Sequence, residues 1–103
     1  MPTVAGMDTD RTNRLAAFRG VKEITTELRG TKLHEHEAAL IDQAAEDLLL
    51  AGSLQEEAAR ESLAAFRTLL DDLARHRWAE HGQTADRLRA LMAACAPETA
   101  VAA

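Results

Sequence analysis

Four histidines and a single cysteine are the residues of this chain best suited to chemistry. His34-Glu35-His36-Glu37 interleaves imidazole with carboxylate, a donor set that suits zinc or nickel. Helical residues two apart lie about 200° around the axis, so His34 and His36 are expected to diverge. His76 to His81 imitates a zinc-protease helix. That motif needs histidines at i and i+4, and a spacing of five turns the second ring about 140° away. Asp72, His76 and Glu80 share one helical face, which reads as a solvated ladder of charges worth a few tenths of a kcal/mol per pair. No acid stands three residues before any histidine, so the Glu-x-x-His pattern of a carboxylate di-iron bundle is absent. Cys95 falls on an apolar stripe near a helix end, where a thiol is inert rather than nucleophilic. The two serines, Ser53 and Ser62, read as a cap and a helix-surface residue, and no phosphate loop or nucleophile elbow occurs. The expectation is a protein that is not an enzyme, with no cofactor and no metal.

Charge narrows the partners. The chain of 103 residues carries 12 bases and 17 acids, for a formal charge of −5. Residues 1–33 hold six bases against four acids, whereas residues 34–64 hold eight acids and only Arg60. An acidic domain repels phosphate, which disfavours nucleic acid and anionic lipid alike. The second and third segments invite a helix-turn-helix reading, but Glu56, Glu57 and Glu61 would meet phosphates with the wrong sign. A DNA-binding regulator is therefore the third choice. No run is long and apolar enough to span a membrane, and no signal peptide is visible. One unpaired cysteine fits a reducing, cytoplasmic setting. Ten arginines against two lysines, with abundant alanine, suggest a GC-rich bacterial or phage genome.

The elements that would position these residues are all helical. Ala and Leu dominate the apolar share, while two Phe, one Trp and no Tyr leave little material for a sheet. A first helix is expected from caps at Asp8 or Thr9 to about Arg29, with Leu15, Phe18, Val21, Ile24 and Leu28 on one stripe and Gly20 outside it. Gly30 supplies the stop. A second helix opens near His34, with Leu33 as a staple and Glu37 at capping-box distance, and Gly52 ends it. Its apolar face holds Leu40, Ile41, Ala44, Ala45, Leu48 and Leu49, while Leu50 projects elsewhere. Ser53 and Glu56 then cap a third helix running to about His81, closed by Gly82. Thr84 caps a short fourth helix carrying Leu88, Leu91, Met92 and Cys95, which Pro97 stops.

These segments predict an all-α fold, a small antiparallel four-helix bundle with a long third helix and a short fourth. Residues 8–96 would form one domain, between a flexible leader at 1–7 and a flexible tail at 97–103. The third helix outlasts the fourth, so part of its stripe is expected to lack cover within the chain. The function predicted is a non-catalytic interaction module that self-associates or docks on a protein partner, as an assembly subunit of the phage kind does. A small acidic regulatory binder, anti-defence or antitoxin-like, that masks a basic surface is the alternative. Partner contacts are expected at Trp78, Arg77, Leu69 and Leu50, which combine bulk or guanidinium with stripe-edge positions, and at the acids Glu56 and Glu57. For Trp78 the competing reading is a core plug, and for Arg14 and Arg77 it is snorkelling at a helix end.

Overall fold

A computed structural model describes residues 2–97, with side chains over 11–97. Four helices make up the architecture: α1 (Pro2–Leu28), α2 (Glu35–Leu50), α3 (Glu57–Arg75) and α4 (Gly82–Cys95). The described residues contain no strand, only an isolated bridge between Arg29 and Leu33 inside the first turn. α1 packs along both α2 and α4, α2 packs on α3, and α3 and α4 barely meet. The resulting bundle measures 47 × 25 × 20 Å.

Each boundary has a local cause. α1 begins at Pro2, so it includes residues 2–7 of the expected leader and starts ahead of the Asp8 and Thr9 caps. Proline suits that place, because the first turn has no use for its missing N–H. Met1 and residues 98–103, most of the expected tail, lie outside the described residues. Gly30 adopts φ 83°, the left-handed conformation that ends α1, and the Leu28 carbonyl accepts from the N–H groups of Thr31, Lys32 and Leu33 at 2.9–3.0 Å. At the head of α2 the extended His34 donates its N–H to Glu37 Oε1 at 2.8 Å, half of the expected capping box.

α3 is shorter than its sequence suggests, and α1, with 27 residues against 19, is the longest element. At its start, the Glu56 carboxylate accepts from Gly52 N–H at 2.7 Å and Ser53 N–H at 3.1 Å. Glu56 itself is extended, which turns the capping pair into a closed turn ahead of the helix. At the other end the chain leaves the helix at His76 because Trp78 turns inward. Its indole is fully buried, and its backbone N–H donates to the Leu73 carbonyl at 2.6 Å. Gly82, expected to close the third helix, instead opens the fourth, with His81 rather than Thr84 at the cap.

The core gathers Val21 and Ile24 from α1, Ile41 and Leu48 from α2, Phe66, Leu70 and Leu73 from α3, and Leu88 and Met92 from α4. Trp78 joins it from the last turn. Gly20 faces α4, contrary to its expected place off the stripe: a Cβ there would lie 3.1 Å from the Leu91 side chain, so its absence lets α1 and α4 close up. The opposite charges of the first two helices meet within the chain. Asp42 pairs with Lys22 at 3.4 Å and Arg29 at 3.0 Å, and it accepts from the buried Thr25 hydroxyl at 2.6 Å.

Candidate functional site

Where α3 and α4 barely meet, a groove of about 700 Å³ lies along their seam. Leu63 and Phe66 of α3, Met92 of α4, Leu54 of the preceding turn, and Ala96 and Pro97 give it apolar walls. Arg67, Asp71, Arg89 and Arg14 stand around it. Leu63 and Phe66 recur at the spacing of the core stripe, and Met92 and Ala96 do so on α4. The two rows therefore each run along their helix for about one turn. That volume lies within the range of ligand and peptide grooves.

The polar groups differ in how they are committed. Arg89 pairs with Asp71 at 3.1 Å and Asp86 at 3.2 Å. Arg67 is exposed and forms no ion pair among the described residues. Arg14 is a structural clamp. Its Nε donates to the Cys95 carbonyl at 3.0 Å, while one Nη is shared among the carbonyls of Leu48, Leu49 and Ala51 at 3.0, 2.9 and 3.4 Å. One guanidinium thus caps the C-terminal ends of both α2 and α4, where carbonyls lack helical partners and the dipole favours a cation.

Of the residues expected at a partner surface, Trp78 is not one. It is wholly buried, and its indole N–H donates to the Lys32 carbonyl at 3.1 Å, which makes it the core plug. Arg77 sits beside it and binds Glu37 at 2.5 Å, tying the α3–α4 turn to the start of α2. Burial alone would raise the Glu37 carboxyl. The Arg77 hydrogen bond, the His34 N–H and the nearby positive charge outweigh it and hold the group below its ordinary value. Leu69 is half-buried against the core. Leu50 is 75% exposed at the end of α2, next to the turn that holds Glu56, and Glu57 is exposed at the start of α3. Leu50, Glu56 and Glu57 therefore lie at the end of the molecule that Arg14 clamps, close to the groove, with Arg77 and Trp78 at the α3–α4 turn.

Arg67, Arg89, Leu63 and Met92 are the groove residues that partner reasoning from the sequence passes over. The available signal is Arg67 following Phe66 on the α3 seam and Arg89 three residues before Met92.

The histidines do not assemble a site. His34 and His36 come together, against expectation, with ring centroids 5.8 Å apart and planes within 10°. His34 is an extended cap residue, so the helical angle between them does not apply. Stacked rings do not aim their nitrogens at one point, and the described residues hold no group of three or more metal-capable side chains. His76 pairs with Asp72 at 3.6 Å, but Glu80 lies beyond the end of α3 and is off that face. The Cys95 thiol is buried, and desolvation pushes it up to about 11 despite the opposing charge of Arg14. Neither Ser53 nor Ser62 bonds a histidine among the described residues; Ser62 bonds Asp47 and Ser53 accepts from Gln55. No described helix is long and apolar enough to cross a membrane. Compared with known protein families, curated proteins and solved structures, the chain matches none.

Proposed function

We propose that the chain is a non-catalytic helical interaction module whose binding surface is the α3–α4 groove. The observation that carries this reading is the groove itself: two helices of one core left apart, with Leu63 and Met92 along the gap and arginine at the rim. Apolar walls supply area, and a charged rim sets orientation and rate of encounter. The form of the site suits an amphipathic helix laid between two others. A buried, unpaired cysteine agrees with a reducing cytoplasm, and an assembly subunit is the role such a module would fill.

A second reading has its own support. The outer face of α2 exposes Glu35, Ala39, Gln43, Glu46 and Leu50, and residues 43–59 contain no base. A small regulator that masks a basic surface would use this face.

NMR chemical shifts decide between them. The protein is diluted serially, then titrated with amphipathic helical peptides bearing acidic, neutral or basic flanks. Shifts at Leu63, Phe66, Met92 and Ala96 are the expected result. Shifts confined to α2 with basic peptides would favour the regulator, and a folded protein that responds to neither series would defeat the module.

A further inference from the structure

We infer that the occupant of the groove is a second copy of this chain, entering with the α2 tip: Leu50 against the half-buried Leu63 and Ala96 that line it, and the acids around it against Arg67. The inference rests on the groove being the binding surface. Two observations select this occupant. Leu50 is 75% exposed, a large apolar side chain that its own bundle leaves in water. It also stands in an acidic stretch: Glu46, Asp47, Glu56 and Glu57 flank it, and residues 43–59 contain no lysine or arginine. The groove offers the complement, with apolar walls and, at its edge, the exposed Arg67, which forms no ion pair among the described residues. Oppositely charged surfaces steer encounter and fix register, while the apolar insertion holds the complex.

The position of the two features allows a closed pair. Arg14 lines the groove and also binds the carbonyls of Leu49 and Ala51, on either side of Leu50. Tip and groove are therefore neighbours at one end of the molecule. A two-fold axis passing beside that end sends the tip of each protomer into the groove of the other, an isologous contact that closes at two. Trp78 and Arg77 stay clear of it, committed to the turn at the base of α2.

Light-scattering mass after size exclusion, at low and high salt, is the first measurement, and a dimer that loosens with salt is expected. Leu50→Asp removes the tip and Arg67→Glu spoils the groove. Both positions are exposed, so both variants fold, as circular dichroism will verify. Each alone should weaken dimerisation by at least about tenfold, the effect of losing one buried anchor or reversing one rim charge. Mixing them is the sharper arm. Leu50→Asp keeps its groove and Arg67→Glu keeps its tip, so the mixture rebuilds one of the two contacts and recovers hetero-dimers that neither variant forms alone. A monomeric wild type in which an acidic amphipathic peptide still shifts the groove resonances would overturn the second copy and leave the interaction module standing. A dimer indifferent to both substitutions would overturn the tip-in-groove contact.

Discussion

Arg14 shows how far a single side chain reaches in this fold. It spans two helix ends, Cys95 of α4 and the last turn of α2, and leaves their carbonyls satisfied. Arg14→Ala should cost about 1–3 kcal/mol, the usual range for a charged donor on several acceptors, read from urea denaturation. Arg14→Lys should recover only part, because an ammonium lacks the fork that reaches both helices. The sequence places Arg14 in an apolar stripe and predicts snorkelling, but which carbonyls lie within reach depends on three helices at once. Glu37 supplies a pH dependence with a definite sign. Its carboxyl is held low in the folded state, so it stabilises the fold above the unfolded value and loses that contribution as pH falls through the folded one. The stability gap between the wild type and Glu37→Gln is therefore expected to shrink on acidification through the carboxylate range. A gap independent of pH would mean that the Arg77 pair does not act on that carboxyl. Cys95, with its thiol raised to about 11, should resist alkylating reagents at neutral pH until the protein is denatured.

At the scale of elements, the helices and most of their stops are legible because the signals are local. Periodicity finds the core stripes, and Gly30 marks the end of α1 as a left-handed residue must. The third helix is read too long for the opposite reason. Nothing within a few residues says that Trp78 will leave the helix to fill space between Lys32 and the core. Gly20 is a similar case. On one helix it looks like a weak spot, whereas against α4 it is the point of closest approach. Gly20→Ala gains helix propensity of about 1 kcal/mol, and Leu91, half-buried and flexible, yields a few tenths of an ångström. The sum should be a change in unfolding free energy of less than about 1 kcal/mol. Gly20→Val adds bulk at the same crossing and should destabilise by about 1–3 kcal/mol, with Leu91→Ala in that background returning part of the loss.

Across the whole molecule, α1 holds α2 and α4, α2 holds α3, and the ring stays open where α3 would meet α4. The third-helix stripe expected to lack cover is mostly covered: Ala59, Phe66, Leu70 and Leu73 are buried within the chain, and Leu63 and Leu69 are half-buried. α3 and α4 barely meet, Trp78 fills space beside the turn between them, and no pattern on either helix encodes how two of them pack. Trp78→Ala removes the largest core side chain and should cost about 3–5 kcal/mol, a large share of the total for a domain of this size. The loss is expected as a lowered thermal midpoint in circular dichroism. The turn at Gly52 and Ser53 joins the α1–α2 half to the α3–α4 half, and the two halves are already pinned to each other by Trp78 on Lys32 and by Arg14 on Cys95. Covalent continuity there is expected to be dispensable: a chain nicked between those two residues should keep its halves together, and the halves made separately should co-elute on size exclusion as a split protein.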